Sequence, residues 1–164
     1  LALCKAFRQD PADAVLRERM ERLAASTEHL EELAAIYEDE LERLAPAELA
    51  KVSLRLGQLY EEKLAEPDRA AGFFRRALAL KPGNPVAAYN LALLSYRGGR
   101  LDDARALMRF VMAQNPPSPE GLFLGMCIER RLQDRQSEES YIMQLKNRYP
   151  NSAEARAIAA GACE

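Results

Sequence analysis

Prolines at positions 11, 46, 82, 116 and 150 cut the chain into steps of 35, 36, 34 and 34 residues. A proline stops a helix because it has no N–H to donate and its ring clashes with the preceding turn. Punctuation that returns at a near-constant period is the signature of an array of like units. Between the prolines, apolar residues recur at helical spacing. The pattern predicts an all-α solenoid of antiparallel helix pairs, each pair burying its apolar faces against its neighbours. Such an array presents a long surface to other molecules, so the expected class of function is binding rather than catalysis.

Composition narrows this further. The 164 residues suit a single domain, and 48% hydrophobic with 29% charged residues is the balance of a folded chain. A net charge of −2 gives no general electrostatic reason to bind nucleic acid or an anionic membrane. No run approaches the ~20 apolar residues of a membrane span. Charge is uneven along the chain: residues 1–84 hold 13 basic and 16 acidic side chains, residues 85–164 hold 10 and 9. Cys4, Cys127 and Cys163 are odd in number and match no zinc or redox spacing, so they read as buried or incidental thiols. Leu1-Ala2-Leu3-Cys4 superficially matches a lipid-attachment site, but Leu3 is bulky where a small residue is needed.

The unit from Pro85 to Pro116 is the clearest. PVAAYNLALLSYRGG places Tyr89, Leu91, Ala92 and Leu94 at helical spacing before Gly98-Gly99. RLDDARALMRFVMAQNP carries a second stripe through Leu101, Ala104, Leu107, Met108, Val111 and Met112. Small residues at Ala92 and Ala104 allow close helix approach. This resembles the tetratricopeptide repeat, with Leu91-Ala92 at its Leu-Gly pair and Ala104, Met108 and Val111 at the helix B positions. The preceding unit, 48–82, is similar through Leu56-Gly57, Tyr60, Ala70, Phe74, Ala77 and Lys81-Pro82, with one extra residue expected near Glu66-Pro67-Asp68. The following unit, 118–150, has Leu124-Gly125 and Ile128 but a divergent second helix.

The unit spanning 13–45 is weaker. Val15, Leu16, Met20 and Leu23 form one expected stripe and Leu30, Leu33, Tyr37, Leu41 and Leu44 another, with Ser26-Thr27 at the turn. Residues 1–10 read as half of a further helix B, so the chain is expected to start mid-repeat with an uncapped helix through which it could self-associate. Asn151-Ser152 before AEARAIAAGA predicts an N-capped closing helix over 152–161.

The resemblance implies a right-handed superhelical solenoid of these antiparallel helix pairs, with a concave groove formed mainly by the first helix of each pair. Carried over residue by residue, it places Gln58 and Glu61, then Tyr89, Asn90, Leu93, Tyr96 and Arg97, then Leu122, Phe123, Met126 and Arg130 on or near that groove, the alternative for several being inter-helix core. Aromatics, Met and Arg suit a binding surface. Asn90 and Arg97 match two positions of the carboxylate clamp, but Val86 stands where a lysine is needed, so a groove for an apolar or amphipathic segment is expected.

From Pro85 to Ala160 the chain is similar to the pilotin lipoproteins of type IV pili, through Leu124-Gly125, Asp134-Arg135, Ser140-Tyr141, Gln144-Leu145-Lys146 and Tyr149-Pro150-Asn151-Ser152. That resemblance implies a protein-binding scaffold, a secretin subunit as partner, and a periplasmic, outer-membrane-associated setting. Residues 1–84 look like generic bacterial repeats and hold one of the five methionines, which leaves open a recombined or designed fusion near Lys81–Pro85 whose property is folding or self-assembly. Nothing points to an enzyme or to a cofactor or metal. The lone His29 lies in an acidic run without a nucleophile to serve, and Glu38-Asp39-Glu40 reads as a solvent face.

Overall fold

The computed structural model describes residues 2–10, 13–114, 117–161 and 163. Pro11, Asn115 and Pro116 lie outside them, as does the Cys4 side chain. The described residues form α-helices and one 3₁₀ turn, with no strand among them. In order these are α1 (Ala2–Gln9), α2 (Ala14–Thr27), α3 (Leu30–Glu40), the 3₁₀ turn Leu41–Arg43, α4 (Pro46–Glu62), α5 (Pro67–Leu80), α6 (Pro85–Arg97), α7 (Leu101–Gln114), α8 (Pro119–Arg131), α9 (Arg135–Arg148) and α10 (Ala153–Ala159). They divide into two compact units, 1–84 and 85–164, at the position where the composition changes.

In the first unit α2 pairs with α3 and α4 with α5. Starts are set locally: Asp13 accepts from the Val15 and Leu16 N–H groups, and Pro46 and Pro67 occupy the first turns of α4 and α5, where no N–H is needed. Phe7 reaches Tyr37 with ring centroids 4.9 Å apart. Tyr60 lies stacked on Phe73, donates its hydroxyl to Glu38, and carries the Arg69 guanidinium 4.1 Å above its ring. The expected α2 stripe holds only in part. Met20 is buried and Leu16 half-buried, but Val15 and Leu23 are 64% and 52% exposed, and Ala24, not in that stripe, is turned inward beside Met20. Met20 and Ala24 are four residues apart and share a face, whereas Leu23 lies to one side of it and Val15 further round toward the opposite side.

Close approach within pairs depends on the glycines of the Leu-Gly positions. A Cβ on Gly57 would lie 2.5 Å from the Phe74 ring, and one on Gly125 2.8 Å from Tyr141. The backbone between paired helices repeats as well. Ala65, Gly99 and Gln133 all have positive φ, of 53°, 75° and 60°, and recur every 34 residues. The α4–α5 link, 63–66, is one residue longer than 98–100 and 132–134, matching the expected insertion.

In the second unit α6 pairs with α7 and α8 with α9. Their shared core holds Ala92, Ala104, Met108, Leu124, Met126, Cys127 and Ile128. Ser152 caps α10 by accepting from the Ala155 N–H at 3.0 Å, and α10 packs on α8 and α9 with Ile158 against that core.

Candidate functional site

The second unit holds a cavity of about 280 Å³ bounded by three elements. Tyr89, Leu93, Tyr96 and Arg97 of α6 form one wall, and Glu120, Phe123, Leu124 and Cys127 of α8 another. Glu154 of α10 and Cys163 complete it. Tyr89, Leu93, Tyr96 and Arg97 share one side of α6 because they follow the spacing i, i+4, i+7, i+8.

Five sequence-predicted residues therefore converge: Tyr89, Leu93, Tyr96, Arg97 and Phe123. The other six sit elsewhere, Leu122 being fully buried and Glu61 belonging to the first unit. Met126 is fully buried in the core, since the inner side of α8 turns it away from the cavity. Arg130 donates from Nε to Glu138 at 2.8 Å and from Nη1 to the Cys163 sulfur at 3.4 Å, which makes it a brace. Asn90 is half-buried and not on the cavity wall. Gln58 belongs to the first unit, where its side-chain oxygen accepts from Arg55, itself ion-paired with Glu21.

Cys127 and Cys163 form a disulfide with Cα atoms 5.5 Å apart. This corrects the expectation of incidental thiols. Sequence reasoning also missed Glu120, Leu124 and Glu154 as wall residues. The end of the chain is held further by Tyr96, whose hydroxyl donates to the Cys163 carbonyl at 2.8 Å. Tyr96 is in turn fixed by Arg131, which lies 4.9 Å over its ring and donates to its carbonyl at 2.9 Å. The tyrosine is only 9% exposed, so it forms the floor of the cavity rather than its rim.

A larger cavity of about 380 Å³ lies between α7 and α9 and includes Arg109, Glu129, Tyr141 and Arg148. Its buried Glu129 is already ion-paired with Arg105, and no sequence-predicted residue lines it. Burial, with Glu129 nearby, raises the Tyr141 hydroxyl above its usual range, so it stays a neutral phenol. His29 is exposed at the start of α3, with Nδ1 donating to the Thr27 carbonyl. Among the described residues no group of His, Cys, Asp and Glu could hold a metal, and no helix is long and apolar enough to cross a membrane.

Residues 63–122 match the family model of the tetratricopeptide repeat. The chain is 29% identical over 125 residues to the type IV pilus assembly protein PilF of Pseudomonas aeruginosa, a match covering 72% of this chain and 49% of PilF. The chain thus spans about half the length of that relative. The solved PilF structure covers 98% of this chain, and is covered to 72% by it, at a TM-score of 0.76 and 25% identity. PilW, a type IV pilus biogenesis factor, superposes at a TM-score of 0.75 with 22% identity, over 96% of this chain and 72% of PilW. The first repeat domain of Spaghetti (RPAP3), solved with an HSP90 peptide, does so at 0.62 with 20% identity, over 68% and 88%. The fold is that of tetratricopeptide-repeat solenoids. A sequence match over 72% of the chain is longer than either unit and so crosses residue 84. One natural relative running across that boundary weighs against a fusion there.

Proposed function

We propose that this tetratricopeptide-repeat protein is a non-catalytic scaffold that receives a peptide or helix of a protein partner against α6 and α8, and that it acts as pilotins do in type IV pilus secretin assembly. The observation that carries the proposal is the convergence of Tyr89, Leu93, Tyr96, Arg97 and Phe123 on one apolar-walled cavity. Aromatic rings supply large contact area with few torsions to freeze, which suits them to anchor a partner segment. The likeness to PilF supports the pilus setting. A disulfide supports an oxidising compartment such as the bacterial periplasm.

The test is capture of secretin subunits from a bacterial envelope extract by the immobilised protein and by a Tyr89→Ala/Phe123→Ala variant. Both residues are only partly buried, so helicity by circular dichroism is expected to stay unchanged while capture falls. Equal capture by both proteins refutes the groove. Capture of other proteins but no secretin refutes the pilotin role.

A further inference from the structure

The same cavity carries a charge pattern that narrows its occupant, an inference that rests on the groove reading above. Its walls are mostly apolar, through Tyr89, Leu93, Tyr96, Phe123 and Leu124, but two carboxylates stand on them, Glu120 and Glu154. Each lies in the first turn of its helix, α8 or α10, where the partial positive charge of the helix start favours an acidic side chain. No hydrogen bond or ion pair of either carboxylate is found among the described residues. The nearby cations are committed elsewhere. Arg130 is ion-paired with Glu138, Arg131 is held on Tyr96, and Arg97 already has an interaction partner. Even counting Arg97, the lining carries one net negative charge.

The volume also limits the guest. About 280 Å³ falls below the ~300–1,000 Å³ of small-molecule sites, which suits one anchoring side chain and its neighbour. We infer that the partner segment places a large apolar side chain, aromatic or aliphatic, between Tyr89 and Phe123, with an adjacent lysine or arginine facing Glu120 and Glu154. This is the reverse of a carboxylate clamp, which uses cations to hold an anionic peptide end. Here an anionic segment meets two unanswered carboxylates, whereas a cationic one completes them.

Two probes matched in size and differing in charge test this: phenethylammonium and phenylacetate, titrated against the disulfide-intact protein while the ring resonances of Tyr89 and Phe123 are followed by NMR. The cation is expected to bind roughly tenfold tighter, about the change that one partly screened charge pair gives. The preference should shrink in a Glu120→Gln/Glu154→Gln variant and with added salt in the native protein. The salt series needs no mutation, so it decides the matter even if the variant folds poorly. Equal binding of the two probes, or tighter binding of phenylacetate, overturns the charge inference and leaves the groove standing. Failure of both probes to move either ring overturns the groove itself.

Discussion

Breaking the Cys127–Cys163 bond should cost the second unit about 4 kcal/mol. The bond closes a loop of 36 residues that contains all of α9 and α10. In the chain-entropy model, the cross-link removes about 13 cal/mol/K from the unfolded ensemble for a loop of that size, or about 4 kcal/mol at 25 °C. Reduction with dithiothreitol isolates this effect, because the same atoms remain and only the link is lost. A Cys127→Ala/Cys163→Ala variant should lose more. Cys127 is 2% exposed in the core, so deleting its sulfur adds a packing defect to the lost constraint. Guanidinium unfolding of the oxidised, reduced and double-alanine proteins, each midpoint taken with its own slope, gives the three stabilities. The expected order is oxidised, reduced, double alanine. A loss on reduction under about 1 kcal/mol would show that the unfolded chain is little restricted by the link, and the reasoning fails. Hydrogen exchange supplies a second check. Without the link, α10 and Cys163 remain tied mainly by Ile158 packing, the Tyr96 hydroxyl and Arg130, so α10 should lose protection before α6, α7 or α8.

Four further outcomes follow from the local geometry. Gly57→Ala should destabilise by about 1–3 kcal/mol in denaturant, and more than Gly125→Ala, because the Phe74 ring it meets is fully buried whereas Tyr141 is half-exposed and has room to give. Ala65→Gly should stabilise by about 0.5–1 kcal/mol, since relief of a left-handed alanine outweighs the greater freedom of unfolded glycine; a loss of stability refutes this. The Ser137 N–H bonded to Asp134, aided by the Ser137 hydroxyl, holds that carboxyl below its usual range. Its contribution is therefore present above about pH 3.9 and lost as pH falls through the lowered folded value, and Asp134→Asn should remove that part of the acid sensitivity of unfolding. Tyr89→Ala/Phe123→Ala should lower partner capture in the pull-down at unchanged helicity by circular dichroism.

Helices were legible where a local rule decides them. The apolar stripes and helix-stopping prolines gave the helix pairs, and the one-residue surplus near Pro67 appears as the longer 63–66 link. The α2 stripe held at Met20 but not at Val15 or Leu23, because hydrophobicity alone cannot say which side of a helix is turned inward. Val15 and Leu23 are as apolar as Met20, but the fully buried side chains of α2 are Met20 and Ala24. The left-handed linkers were legible only at Gly99. Ala65 and Gln133 adopt the same backbone without a glycine to signal it, since the packed pair on either side imposes the turn.

The cavity divides along the same line. Its α6 wall was readable because four residues at helical spacing must share a face once the helix is placed, and Phe123 follows from the equivalent helix one repeat later. Met126 shows the limit of such transfer. It lies three residues beyond Phe123, close enough to share a face, yet α8 is enclosed by partners on most sides and only a narrow strip of it reaches the cavity. The third wall depends on how α10 folds back to bring Cys163 to within 5.5 Å of Cys127, counted between Cα atoms. A sequence separation of 36 residues carries no trace of that distance. Glu154 reaches the site by the same return of the chain, so half of the acidic pair that sets the expected charge preference comes from tertiary structure alone. Repeat periodicity thus specifies an apolar face, while the selectivity of that face comes from the segment that breaks the period.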